Sequence, residues 1–263
     1  MTDKTTLGDR MKEYEATTQT SVLRRTPVII RIDGKAFHTF VPRFFKKETD
    51  PSLEQTPFSV PLHNLMTVTT HSLMFEIQNA VFAYTQSDEI SLLLRDWDRN
   101  ETQQWFAGNI QKMVSIAASR ATASFNFLLR YQAGIAIDYM HHMPMFDARV
   151  YNLPKEEVVN YFIWRQQDAS RNSVQMLGRH YYSHKQLHGK NNSQVQDMLM
   201  LEHKVNWNDL PTWMKRGACV YQRDDYSPFD SSSRVVTDEN PPIFTQDRDY
   251  VGKHLIGRPD QTI

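Results

Sequence analysis

Hydrophobic and polar positions in the first part of the chain form short runs of two different periods. Residues 28–32 are an apolar run with β-branched side chains that ends at Asp33-Gly34, which is typical of a buried strand. Residues 61–79 place apolar side chains at helical spacing, which predicts a helix. Residues 80–84 and 89–94 then predict two strands joined by a polar turn.

The elements that follow complete a recognisable order. Residues 102–131 predict a long helix by their periodicity, and residues 146–151 predict a fourth strand. The order is therefore β-α-β-β-α-β, the ferredoxin-like split motif, which is also the core of a polymerase palm. In that motif the first strand lies beside the hairpin strands, so residues that end these strands are expected to meet. We predict an α+β fold with this core and a helical C-terminal extension.

The residues after the core predict mainly helices, followed by one strand and an irregular tail. Residues 155–187 predict helices with a break near 168–170, and residues 193–203 predict another short helix. Residues 217–223 predict a final strand, and the Asp-, Ser- and Pro-rich stretch that follows predicts an irregular tail. We therefore expect three parts: a palm-like catalytic core (1–153), a helical extension packed on the core (154–223) and a tail (224–263).

Composition limits the class of protein. The chain has 263 residues, of which 40% are hydrophobic and 23% charged, so a globular, soluble protein is expected. No apolar run reaches the roughly 18 residues of a membrane span, and the first residues lack a signal-peptide core, so no membrane partner is expected. The single cysteine, Cys219, fits a reducing cytoplasm. The 30 basic and 30 acidic residues balance, which argues against nonspecific coating of nucleic acid but leaves room for a local phosphate site.

Two segments carry candidate chemistry, because each places an acidic residue beside a strand-like run. They are Arg31-Ile32-Asp33-Gly34-Lys35-Ala36-Phe37 and Tyr84-Thr85-Gln86-Ser87-Asp88-Glu89-Ile90. Taken alone, each is an ordinary turn. Together, Asp33, Asp88 and the Gly34 carbonyl offer the oxygen ligands that Mg²⁺ prefers, and a pair of such ions is typical of nucleotidyl transfer. Glu89 should point to the face opposite Asp88 and is a less obvious ligand.

These segments resemble the signature segments of the tRNA(His) guanylyltransferase family. The resemblance spans roughly residues 8–223 in matching order and is more specific than any one motif. It continues in three further segments: Phe146-Asp147-Ala148-Arg149, Trp164-Arg165-Gln166-Gln167-Asp168 and Asn206-Trp207-Asn208-Asp209-Leu210-Pro211.

The resemblance implies a function. Family members add nucleotides in the 3′–5′ direction to the 5′ end of tRNA: ATP activates a 5′-monophosphate, and the 3′-hydroxyl of an incoming nucleotide, usually GTP, then attacks. The working form is often a homotetramer. Two Mg²⁺ ions would be held by Asp33, the Gly34 carbonyl and Asp88, and the catalytic residues would be Asp33, Asp88 and Glu89.

The resemblance also transfers binding roles to this sequence. The nucleotide-binding positions are Lys35, Ala36, Phe37, His38, Lys47, Asp50, Ser87 and Lys112. The RNA-binding positions are Lys12, Arg149, Asp168 and Asn172.

One departure changes the expected substrate. Ser170 stands where eukaryotic members have the histidine that is tied to adding the extra guanosine of tRNA(His). The chain therefore resembles the guanylyltransferase-like branch of bacteria and archaea, which favours template-dependent repair of truncated tRNAs. Gly108 and Asn109 replace two basic residues of the family's phosphate-binding set.

Two other functions stay open at this stage. A palm-type nucleotidyl cyclase would use the same metals, although it has no need of an extension over 155–223. A non-catalytic RNA-binding module would keep the fold, although it has no need of the paired carboxylates Asp33 and Asp88.

Overall fold

A computed structural model describes residues 6–44, 56–133, 143–223 and 234–256, and its strands form one antiparallel sheet. The spatial order of the strands is β4-β1-β3-β2-β5-β6. In chain order the strands are β1 (Val28–Gly34), β2 (Ala80–Gln86), β3 (Glu89–Leu94), β4 (Phe146–Asn152), β5 (Ala218–Gln222) and β6 (Val235–Asp238).

Helices cover both faces of this sheet. Two helices, Val60–Glu76 and Ile110–Ala133, pack on one face. The longest helix among the described residues, Lys155–Tyr181, covers the other. In chain order the helices are α1 (Leu7–Ala16), α2 (Phe37–Phe44), α3 (Val60–Glu76), α4 (Ile110–Ala133), α5 (Lys155–Tyr181), α6 (His184–Leu187), α7 (Asn192–Met198), α8 (Thr212–Arg216) and α9 (Asp249–Gly252).

Strand β1 shows why its sequence is apolar at nearly every position. Successive side chains of a strand point to opposite faces. Ile30 and Ile32 pack into the core beneath α3 and α4, whereas Ile29 packs into the core beneath α5. Because both faces are covered, the period of two is hidden and the strand appears as one continuous run.

The predicted palm-like core is confirmed. The order β1-α3-β2-β3-α4-β4 is the expected β-α-β-β-α-β, and β1 pairs with β3. The start of the fifth element of this core differs from the prediction, since α4 begins at Ile110 rather than near Thr102. Phe106, Ala107 and Gly108 have φ angles of 50°, 52° and 77°, and this left-handed turn cannot continue into a right-handed helix.

The predicted break near 168–170 is wrong, because α5 runs without interruption. The polar side chains there are used within the helix: Arg165 bonds Asp168 at 3.2 Å, and Asn172 bonds Asp168 at 3.3 Å. Ser173 points into the protein and donates to the Met214 carbonyl at 2.7 Å. A polar stretch at i, i+3 and i+4 spacing therefore stabilises this helix instead of ending it.

The prediction of an irregular tail is wrong for its described part. Strand β6 extends the sheet beyond β5, and Tyr250 donates to Asp238 at 2.6 Å. Phe244 and Val251 are fully buried in the core beneath α5, which anchors the segment. The boundaries of the three expected parts remain predictions. In the described residues, no helix is long and apolar enough to cross a membrane.

Candidate active site

The two motif segments meet at one end of the sheet. The Gly34 N–H donates a hydrogen bond of 3.0 Å to the Asp88 carbonyl, which joins the end of β1 to the β2–β3 turn. Asp33 is paired with Glu89 in the register of β1 and β3. The long-range contact that the order of elements predicted for Asp33 and Asp88 is therefore present.

Tight backbone geometry fixes both segments. Ala36 follows β1 with φ 58°, and Ser87 has φ 49° in the hairpin turn, so both residues occupy the left-handed region that non-glycine residues rarely adopt. A Cβ atom at Gly34 would lie 2.5 Å from the Phe37 ring. The absence of a side chain at Gly34 thus allows the backbone beside Asp33 to lie directly on that ring.

A cavity of about 640 Å³ opens at this point. Its size falls within the range of small-molecule sites. Asp33, Asp88, Ser87 and His38 are among the residues that line it. Its lining also includes residues of α3, α5 and α8, among them Leu62, His63, Met66, Met176 and Trp213.

Like charges face each other where Asp33 and Asp88 line the cavity. Burial raises the pKa of Asp88, and the Asp33 charge raises it further, whereas a hydrogen bond from Ser87 and the proximity of His38 act in the opposite direction. A cation between the two carboxylates would relieve both destabilising effects. The described residues contain no cluster of three His, Cys, Asp or Glu side chains suited to a metal. An ion here would therefore keep water or phosphate oxygens as ligands, which is how Mg²⁺ is usually bound.

Glu89 contacts two arginines. Arg165 binds it through two hydrogen bonds, from Nε to Oε1 at 2.6 Å and from Nη2 to Oε2 at 2.8 Å. Arg31 Nη2 lies 2.6 Å from Glu89 Oε2. Burial raises the pKa of Glu89, while the attraction of Arg165 and Arg31 lowers it.

Most predicted nucleotide-binding positions lie beside the carboxylates. His38 and Ser87 line the cavity, and Lys35 and Ala36 are exposed in the turn that follows Gly34. Phe37 also lines the cavity, but only 2% of it is exposed, because it packs with Phe40, Phe125 and Phe146. Lys47 and Asp50 lie outside the described residues.

Two of the predicted basic positions do not reach the cavity. Lys112 lies in the first turn of α4, whereas the later turns of α4 are the ones that contact the start of β4, beside Gly34. Lys12 is exposed on α1, in which no residue is buried. Neither residue therefore lines the cavity, and Lys112 lies at the end of α4 that is farther from the paired carboxylates.

The predicted RNA-binding positions also divide into residues that line the cavity and residues that do not. Asp168 and Asn172 of α5 line the cavity. Arg149 is exposed on the edge strand β4, where its guanidinium lies 3.7 Å from Asp147.

Sequence reasoning missed four residues that shape the site. Arg31 and Arg165 stand inside the motif segments, so their position there was an available signal. His63 and Trp213 line the cavity and stack on each other, with ring centroids 4.1 Å apart and planes 13° apart. Their sequence positions carry no signal of this contact, because α3 and α8 are brought together only by folding.

The palm-like sheet and the paired carboxylates at its hairpin define the class of protein, a palm-type nucleotidyltransferase. Residues 8–154 match the family model described as tRNAHis guanylyltransferase (Thg1), which is more than half of the chain. The chain belongs to the tRNA(His) guanylyltransferase family.

Known proteins resemble the chain over most of its length. A bacterial tRNA(His) guanylyltransferase (Thg1)-like protein solved in complex with ATP is 41% identical, with a TM-score of 0.82 over 95% of this chain and 99% of that chain. A structure of such a bacterial protein with GTP is 39% identical, with a TM-score of 0.77 over 95% and 98% of the two chains. The probable tRNA(His) guanylyltransferase of Homo sapiens is 27% identical over 240 residues, which cover 82% of this chain and 70% of the human protein.

Proposed function

We propose that this protein is a Mg²⁺-dependent 3′–5′ nucleotidyltransferase that adds nucleotides to the 5′ end of tRNA. The observation that carries the proposal is the meeting of Asp33 and Asp88 in the lining of a nucleotide-sized cavity. Membership of the tRNA(His) guanylyltransferase family supports the same reaction.

The metal site would consist of the Asp33 and Asp88 carboxylates and the Gly34 carbonyl. Two Mg²⁺ ions bound there would polarise the reacting phosphate and stabilise the departing pyrophosphate. The protein's own part is to hold the reacting groups in line and to exclude water. The hydrogen bond between Gly34 and Asp88 serves that purpose, because it fixes the two ligand-bearing segments relative to each other.

ATP and GTP are the proposed nucleotide substrates. Similar bacterial proteins have been solved with each of them. ATP would activate a 5′-monophosphate end, and GTP or a templated nucleotide would then be added. His38 and Ser87, which line the cavity, and Lys35 and Ala36 beside it are the proposed nucleotide contacts, together with Phe37, Lys47 and Asp50. Lys112, at the far end of α4, would contact a nucleotide only outside this cavity.

The tRNA 5′ end would enter along α5. Asp168 and Asn172 line the cavity and are the proposed RNA contacts there, while Lys12 and Arg149 would contact phosphates farther away. Ser170, in place of the family's histidine, favours repair of 5′-truncated tRNA over the addition of a single guanosine to tRNA(His).

A homotetramer in the cytoplasm is the proposed working form. Leu7, Met11 and Tyr14 lie at helical spacing on α1 and are 65%, 48% and 71% exposed, which is typical of a surface that a partner covers. The single cysteine, Cys219, is unpaired and buried, as suits a reducing compartment. Sedimentation equilibrium should give four times the chain mass, and a monomer at micromolar concentration would contradict the tetramer.

The reaction is tested with a 5′-end-labelled tRNA that lacks its first nucleotide, beside full-length tRNA(His). Each is incubated with Mg²⁺, ATP and all four nucleoside triphosphates. We expect extension of the truncated tRNA by the nucleotide that pairs with the opposite strand. Extension of tRNA(His) alone by one G would instead identify a guanylyltransferase that does not need the missing histidine. No extension of either, with RNA binding intact, would overturn the proposed function.

A further inference from the structure

Arg31 lies within reach of two carboxylates and bonds only one of them. Its Nη2 is 2.6 Å from Glu89 Oε2 and 3.8 Å from Asp33 Oδ2. Arg31 and Asp33 share a face of β1 because they are two residues apart, and Glu89 is the cross-strand partner of Asp33. The Arg31 guanidinium therefore lies beside both Glu89, with which it forms an ion pair, and Asp33, a proposed metal ligand.

The position of Glu89 is fixed from the other side. Arg165 binds it in bidentate geometry, and the two side chains are only 4% and 7% exposed. The Trp164 ring lies 4.4 Å from Arg165 Cζ and 5.9 Å from Arg31 Cζ, so it contacts both guanidinium groups. Paired hydrogen bonds of this kind set orientation as well as strength. Glu89 is thereby held where it attracts Arg31.

A direct ion pair between Arg31 and Asp33 would compete with a divalent cation for the same carboxylate oxygens. A movement of about 1 Å would bring Arg31 from its present 3.8 Å into the range of a charge-assisted hydrogen bond with Asp33. The bond to Glu89 is what opposes this movement in the structure.

We infer that Glu89 is a positioning residue that draws Arg31 away from Asp33 and so keeps Asp33 available to a divalent cation. The inference rests on the proposed function, because it takes Asp33 as a metal ligand. Glu89 would then act on the metal site through Arg31 and would not coordinate the metal itself.

The test measures metal binding and needs no turnover. Binding of Mn²⁺ is followed by electron paramagnetic resonance for the wild-type protein and for Glu89→Gln, Arg31→Met and the double variant Glu89→Gln/Arg31→Met. We expect Glu89→Gln to weaken Mn²⁺ binding by about tenfold, which corresponds to the strength of one good charge-assisted contact. The double variant should return to within about twofold of wild type, since the competing arginine is gone. Glu76→Gln is the matched control, as Glu76 pairs with Arg120 on the helices of the opposite face.

The variants distinguish a failure of the inference about Glu89 from a failure of the proposed metal site. If Glu89→Gln binds Mn²⁺ as wild type does, or if the double variant stays as weak as Glu89→Gln, the inference is overturned. Arg31→Met alone should bind at least as tightly as wild type, and this keeps the inference testable if Glu89→Gln fails to fold. Wild-type protein that binds Mn²⁺ no better than Asp33→Asn would overturn the proposed metal site itself and the inference with it.

Discussion

Arg165 on α5 and Glu89 on β3 form a buried ion pair with two hydrogen bonds, of 2.6 and 2.8 Å. The pair joins the helix that follows the palm-like core to the strand that begins at the hairpin turn. Burying two charges is costly, and the cost is recovered only while both partners remain. The end of the sheet that carries the candidate active site therefore depends on a helix that starts more than 60 residues farther along the chain.

Removing Arg165 should strongly destabilise the fold. In Arg165→Met, Glu89 keeps only Arg31, and its buried charge is poorly compensated, so we expect a loss of about 3–5 kcal/mol in the free energy of unfolding. Urea unfolding followed by circular dichroism measures this. Arg171→Met is the control, because Arg171 is 62% exposed and its pair with Asp168 should contribute less than about 1 kcal/mol. Equal effects of the two substitutions would contradict the prediction.

Neutralising either aspartate should abolish nucleotide addition and spare RNA binding. Asp33→Asn and Asp88→Asn each remove a proposed ligand, and loss of several kcal/mol of transition-state stabilisation lowers the rate by roughly 10³-fold or more. Single-turnover extension of a labelled tRNA gives the rate, and filter binding gives the affinity for tRNA. A parallel loss of binding and of thermal stability would indicate a structural role for the two aspartates.

A methyl group at Gly34 should disturb the aromatic cluster below the site. In Gly34→Ala the new Cβ would meet the Phe37 ring at 2.5 Å, and the ring is held by Phe40, Phe125 and Phe146. Overpacking of this kind costs about 1–3 kcal/mol. Chemical denaturation measures the change, with Gly8→Ala as control because its nearest atom is 3.8 Å away on an exposed helix. A stability of Gly34→Ala equal to wild type would show that Phe37 moves freely.

His254 should make the protein less stable in mild acid. Its ring is 3% exposed between Phe82 and Tyr221, and burial lowers its pKa to about 3. The unfolded chain takes up the proton near pH 6.5. Stability is therefore unaffected above pH 6.5 and falls as the pH drops from 6.5 toward 3, by about 2 kcal/mol at pH 5.

The variant His254→Phe isolates this contribution. Urea unfolding at pH 7.5 and pH 5.0 should show a smaller acid-induced loss in the variant by about 2 kcal/mol. At pH 7.5 the ring is neutral in both states, so that measurement reports the packing effect alone. An identical pH dependence of the two proteins would mean that His254 is protonated in the folded state.

Much of the fold was predictable because the information is local. The apolar run 28–32 and the hairpin strands 80–84 and 89–94 are defined by side chains a few residues apart and by the turns that end them. The start of α4 and the continuity of α5 were not predictable in this way. A left-handed turn at Phe106 and salt bridges around Asp168 decided them, and neither changes the hydrophobic period.

The described part of the tail shows the same limit. Residues 235–256 are rich in polar side chains and have no sustained period, but Phe244 and Val251 fill a core whose other walls come from the sheet and α5. Burial against distant elements, rather than local propensity, gave this segment its structure.

Neighbouring residues in the chain encode the palm-like order of elements, the family and the place of Asp33 and Asp88 at the ends of adjacent strands. Packing in three dimensions sets the contacts of Glu89 with Arg165 and Arg31, the place of Lys112 at the far end of its helix and the place of Trp213 in the lining of the cavity. A strand or a turn is encoded by neighbours in sequence, whereas the partner of a buried charge depends on packing among elements far apart in the chain.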